Sequence, residues 1–327
     1  VYGNRCANFL IQNCDRLLVL GSRLDNRQRS GNPKNFAISA KVMVIDIDIE
    51  ELKKYKNDNY ETINLDLNFF PHLFSYLNII TFIPEWLAFA KKLKIIFFNK
   101  EMSVFAANKG SLSPYIVIQK INKKINNDAI VIADTGANLC WVFQSFFRTK
   151  QTVYTAGGNS PMGYSLPAAI GAALHQPSKQ IIAFTGDGSL QMNVQELQTM
   201  KYHNLNIKLF ILNNQGYGII KQFQDLYCEG RYAATGDGYS CPDFSGVVQA
   251  YGIDYFLIKD ESDLDNLNGK IFGNSLPCII DIILHPGTLI EPKLELGKPL
   301  HDQFPYLSDE DFKEYSRFCH NTRIEYV

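Results

Sequence analysis

Asp187 stands between two glycines in Gly186-Asp187-Gly188-Ser189, and the pair Asn213-Asn214 lies further along the chain. These residue types suit a divalent cation bound together with a diphosphate. Magnesium prefers oxygen donors in octahedral geometry and is commonly shared between a protein carboxylate and ligand phosphates. Asp187 supplies the carboxylate. Asn214 adds an amide oxygen with no negative charge to repel the diphosphate, and a backbone carbonyl near Gly216 can complete the protein's share. Gly186 and Gly188 permit a tight turn and close backbone approach, while Ser189 and the following helix start offer hydroxyl and N–H donors to phosphate oxygens.

Such a site needs two loops held side by side. The apolar residues 181–185 predict a buried strand ending at the acidic loop, and 208–212 a second ending at the asparagines. Between them, Val194, Leu197 and Met200 fall on one face of a helix over 193–203. A right-handed crossover then brings both strand ends to one edge of a parallel sheet, where such folds bind ligands. The competing reading is two ordinary turns, because Gly-Asp-Gly and Asn-Asn are common turn sequences. The chain carries its own control: Gly236-Asp237-Gly238 repeats the triplet, yet 231–235 is no buried strand and no periodic helix follows. The second copy therefore reads as surface loop, and the ordered strand, loop, helix, strand and Asn-Asn favour binding at the first.

These motifs resemble those of the thiamine diphosphate (ThDP) enzymes, most closely acetolactate synthase and its relatives. Gly186-Asp187-Gly188-Ser189-Leu190-Gln191-Met192-Asn193-Val194-Gln195-Glu196-Leu197, continuing to Asn213-Asn214-Gln215-Gly216-Tyr217-Gly218, is similar to that family's cofactor motif. The resemblance implies that Asp187, Asn214 and the Gly216 carbonyl hold Mg2+, with Gly188, Ser189, Tyr217 and Gly218 against the cofactor. The stretch from Gly157 to Gly171 is similar to the one that holds the cofactor's central region. Ser160 lies within it, and Met162 falls where a bulky side chain props ThDP into its bent form. From the residues alone, Met162 is a flexible core filler before a small-residue helix over 166–174. Asp134-Thr135-Gly136-Ala137-Asn138 resembles the family's other diphosphate-contacting loop, with Gly136 at the turn and Asn138 offering an amide N–H. Ala137 stands where acetolactate synthases usually place glutamine, so one polar contact is missing.

Residues 15–21 and 41–48 predict strands followed by polar turns, a second small doubly wound domain. A dinucleotide dehydrogenase is the rival here, but no Gly-x-Gly-x-x-Gly follows either strand. The expected fold is thus α/β, with two doubly wound parallel-sheet domains: a central domain over 1–78, incomplete at its start, a connector over 79–113, the diphosphate-binding domain over 114–285, and a Pro-punctuated surface tail over 286–327. In acetolactate synthases the central domain contacts FAD that has no redox role, and Arg23, Asp25 and Arg27 match the corresponding pattern; otherwise they form a solvated charged loop. In the connector, Pro84, the lysines at 91, 92 and 94, and Asn108-Lys109-Gly110 are expected to break any long pattern. The same charges argue against a membrane span over 79–98. A helix over 115–125 leads into the strand at 130–133.

Lys plus Arg numbers 32 against 33 for Asp plus Glu, so no basic field favours nucleic acid. The seven cysteines form an odd set without Cys-x-x-Cys spacing, which favours reduced thiols and a cytoplasmic protein over disulfides or a zinc site. His203 and His285 read as structural. The chain opens at Val1 in what looks like mid-motif, without the family's pyrimidine-binding domain and its activating glutamate, so a fragment is expected rather than a split enzyme, inactive by itself. The implied function is a decarboxylating carboligase for pyruvate or a similar 2-keto acid, at least dimeric or paired with a chain that carries the pyrimidine-binding domain. The alternatives are a simple 2-keto acid decarboxylase, an acyl transferase of surface carbohydrate synthesis, or a non-catalytic ThDP-binding subunit. Phe223 stands where biosynthetic acetolactate synthases carry tryptophan, which makes it the candidate substrate-pocket residue; its rival role is an aromatic core position.

Overall fold

Runs of branched apolar residues form parallel strands in both halves of the chain. The computed structural model describes residues 3–72, 83–106, 111–236 and 238–318. Cys319, Asp237 and Asn108-Lys109-Gly110, all used in the sequence reading, lie outside them. The chain divides into two units, Val1–Glu101 with Glu291–Val327, and Met102–Ile290. The fold is α/β with two all-parallel sheets.

In the first unit β1 (Arg16–Leu20), β2 (Lys41–Asp46) and β3 (Glu61–Asn64) pair in that order. Val19, Val42, Val44, Leu52 and Tyr55 form the core, joined by Leu294 and Leu300 from the C-terminal segment. That segment is fastened by polar side chains of helix Arg5–Asn13: Asn8 donates to the Leu300 carbonyl at 2.9 Å and Arg5 to the Pro305 carbonyl at 2.8 Å. One expectation fails here. A single helix, Pro84–Ala106, runs through the segment in which breaks were predicted. Proline is tolerated at a helix's first position, because its missing N–H has no partner there anyway. The lysines alternate with Phe89, Leu93 and Phe97, which are spaced four apart, all buried, and packed with Phe9, Phe312 and Tyr315.

The second unit carries six strands in the order β5-β4-β6-β7-β9-β8. They are β4 (Ile130–Ala133), β5 (Thr152–Tyr154), β6 (Ile181–Gly186), β7 (Ile207–Asn213), β8 (Asp254–Ile258) and β9 (Cys278–Ile283). The four central strands are almost wholly buried, as expected of a parallel sheet covered on both faces. Ile132, Ala183, Leu209 and Ile279 meet Leu166, Ala169, Leu197 and Met200 in one continuous core. After β4 the chain steps outward to β5, and then returns to place β6 and β7 on β4's other side. The strand order therefore reverses between β4 and β6, the kind of point at which α/β folds open a crevice at the strands' carboxyl ends. No helix among the described residues is long and apolar enough to cross a membrane.

Candidate active site

Three loops meet at this crevice. Gly186 pairs with Leu212 across β6 and β7, so Asp187 and Asn213-Asn214 leave neighbouring strand tips side by side. From β4 on the other side, Asn138 brings its Nδ2 to 3.7 Å from where a Cβ on Gly186 would lie. Asp187 is only 1% exposed, and among the described residues no salt bridge reaches it. Burial raises its carboxyl to about 6, opposed by the hydroxyl of Tyr239 and by the backbone N–H groups of Asp187 itself, Gly216 and Gly188. A carboxylate desolvated this far, with no counter-charge, is placed to gain from a bound cation.

The neighbouring groups fit that role. The Asn214 side chain is buried with Nδ2 unpaired, a donor suited to a phosphate oxygen, and the Gly216 carbonyl accepts from the Gly218 N–H at 3.0 Å, which leaves it a second lone pair for a cation. Among the described residues no group of three His, Cys, Asp or Glu is placed to hold a metal. A cation held here would have one carboxylate plus neutral oxygens, which would leave its remaining positions to phosphate and water. Helices Ala137–Ser145 and Gly218–Tyr227 both start without a side-chain cap. A Cβ on Gly218 would come within 3.5 Å of the Ala137 Cβ, so two helix N-termini without side-chain caps lie side by side, an arrangement whose dipoles suit a diphosphate. Asn138 differs in detail from its sequence reading. Its Nδ2 donates to the Thr135 carbonyl and its Oδ1 is the buried, unpaired atom, so it presents an acceptor. The Tyr217 ring lies over Gly188, where an added Cβ would sit 2.4 Å from it.

The Met162 loop is held by a clamp that the sequence did not reveal. Asp134, fully buried at the tip of β4, accepts N–H bonds from Gly163 at 3.0 Å, Ser165 at 2.8 Å and Thr135 at 2.9 Å. Asn193 Nδ2 donates to the Gly163 carbonyl at 2.8 Å. Both polar groups of the Gly163 peptide unit are thus fixed, and Met162 beside it is half-buried and absent from the core cluster. Ser160 shares a hydrogen bond with Thr135, tying the same loop to the β4 tip.

Other candidates lie elsewhere. Phe223 is 41% exposed and lies against Tyr227, with the ring planes tilted at 48°, on helix Gly218–Tyr227. It does not line the cavity of about 710 Å3 that opens at the tips of β7, β8 and β9 around Asn213, Tyr239, Tyr255 and Asp281. In that cavity wall Asp281 accepts from Asn213 and Tyr255. In the first unit Asp25 caps helix Asn26–Arg29, and Arg23 pairs with Glu51 at 3.3 Å. His285 accepts from the Gly287 N–H, a local turn contact. Cys228, Cys241 and Cys278 are free thiols.

A family description for the C-terminal TPP binding domain of thiamine pyrophosphate enzymes matches residues 134–282, and one for their central domain matches residues 1–65. The chain belongs to the thiamine pyrophosphate enzymes. Among its relatives in this family, the acetolactate synthase large subunit of Lactococcus lactis is 30% identical over 301 residues, covering 91% of this chain and 51% of that protein. That of Cyanidium caldarium is 32% identical over 314 residues, with the same two coverages of 91% and 51%. The acetolactate synthase isozyme 2 large subunit of Escherichia coli K12 is 32% identical over 298 residues, covering 89% and 52%. This thiamine pyrophosphate enzyme chain thus spans about half the length of the curated relatives it matches.

Proposed function

We propose that the chain is the diphosphate-binding portion of a ThDP- and magnesium-dependent carboligase of acetolactate synthase type. The whole enzyme would decarboxylate pyruvate or a similar 2-keto acid and join the remaining fragment to an acceptor carbonyl. The observation that carries this reading is the buried, uncompensated Asp187 carboxylate beside Asn214 and Gly216 at adjacent strand tips. The names of the relatives supply the reaction type.

In this reading Asp187, Asn214 and the Gly216 carbonyl hold Mg2+, while the helix starts at Ala137 and Gly218, with Ser189, donate to the diphosphate. Gly188 and Gly218 let the Tyr217 ring and the Asn214 amide pack onto the backbone, Gly136 adds no side chain at the neighbouring turn, and the loop with Ser160 and Met162 supports the cofactor's middle. When bound, ThDP supplies the nucleophilic thiazolium carbon and the electron sink that decarboxylation requires. The chain's residues position it. The glutamate that acts on the pyrimidine end belongs to a further domain, on the same polypeptide or another, and the active assembly is at least a dimer. FAD binding by Arg23, Asp25 and Arg27 rests on sequence pattern alone, since Asp25 already serves as a helix cap.

Titration calorimetry with ThDP and Mg2+ tests the proposal. The parent chain is expected to bind the pair, and Asp187→Ala to lose at least tenfold in affinity; equal affinity in the two proteins would sink the metal assignment.

A further inference from the structure

The repeat triplet that reads as surface loop leads back to the first. The Tyr239 N–H closes a turn onto the Gly236 carbonyl at 3.2 Å, and Gly238 within it has φ +85°, a region that residues with a Cβ rarely adopt. The turn delivers the Tyr239 hydroxyl to Asp187, where it donates to Oδ2 at 2.6 Å. The Tyr239 ring meets Tyr217 edge-on, with centroids 4.7 Å apart and planes at 70°, and Tyr217 in turn lies over Gly188. Asp187 is therefore held from beyond its own loop by an aromatic pair and one hydroxyl.

We propose that Tyr239 is a positioning residue for the metal site: its hydroxyl occupies one carboxylate oxygen of Asp187, fixes the rotation of the carboxylate, and presents the other oxygen to the cation. This rests on the assignment of Asp187 as a metal ligand. Outer partners of this kind orient ligands, and their loss typically costs 10–100-fold in metal affinity. The turn that carries Tyr239 also gives Gly236 and Gly238 a role in aiming a side chain.

The test uses the full chain with ThDP and either Mg2+, by calorimetry, or Mn2+ as a spin probe for the bound-metal spectrum. Tyr239→Phe keeps the ring and its contact with Tyr217, so the thermal midpoint should hold. Affinity is expected to fall 10–100-fold for both ions, with an altered line shape for bound Mn2+. Affinity within about twofold of the parent, or a fall with the parent's line shape, would show that Tyr239 does not set the ligand geometry and would overturn the inference. Asp187→Ala in parallel separates the two levels. If it too retains affinity, the metal site itself is misassigned; if it loses affinity while Tyr239→Phe does not, only the role of Tyr239 fails.

Discussion

Gly163 concentrates the constraints on this site in one residue. Its φ is +83°, and an added Cβ would lie 2.7 Å from Asn193 Nδ2 and 2.8 Å from the Met192 Cβ. Asn193 is bonded to the Gly163 carbonyl, and the Met192 contact is through its Cβ, which moves only with the backbone. Gly163→Ala is expected to destabilise the second unit by about 1–3 kcal/mol and to weaken ThDP binding, since Met162 shifts with it. Asp134→Asn should cost a similar ~1–3 kcal/mol, because an amide NH2 then faces a backbone N–H that the carboxylate had satisfied. Urea unfolding followed through the buried Trp141 in a Trp86→Phe background checks both, and a midpoint unchanged from the background would refute the clamp. Asp187 and Asn214 were legible in the sequence because the chemistry is written in their types and in the strands that precede them. Tyr239, Asp134 and Asn193 were not, because each acts on a partner that only folding brings near: Tyr239 and Asp187 are 52 positions apart.

At the scale of elements, strands with a continuous apolar run announced themselves. The strands β4, β6, β7 and β9 are enclosed by helices on both faces, so almost every residue must be apolar. The edge strands β3 and β5 did not. All four residues of β3 are exposed and β5 has only three, so neither leaves a hydrophobic pattern to read. Helix Pro84–Ala106 was hidden for another reason. Its buried stripe is one residue wide per turn, and its partners Phe9 and Phe312 come from distant parts of the chain. Phe97→Ala should therefore cost about 3–5 kcal/mol, the price of a cavity under a stacked ring pair. Amide exchange in helix Arg5–Asn13 reads this loss directly, and protection there equal to the parent's would show the helix to be peripheral.

For the whole molecule, the proposed division of labour predicts cofactor binding without turnover. The 327 residues with ThDP, Mg2+ and pyruvate are expected to release little or no carbon dioxide; full activity would show that they supply the activating group themselves. In an assembly that includes the pyrimidine-binding domain, an acyloin product supports the carboligase reading and an aldehyde the simple decarboxylase. The sequence by itself determined the family resemblance and the α/β class and singled out Asp187 and Asn214 as candidates, because phosphate and cation chemistry admits few side-chain types and buried parallel strands admit few sequences. Only the tertiary structure decided which distant residues hold that site in shape. A turn's aim, a buried carboxylate's partners and a helix's mate depend on long-range proximity, which composition and spacing do not encode.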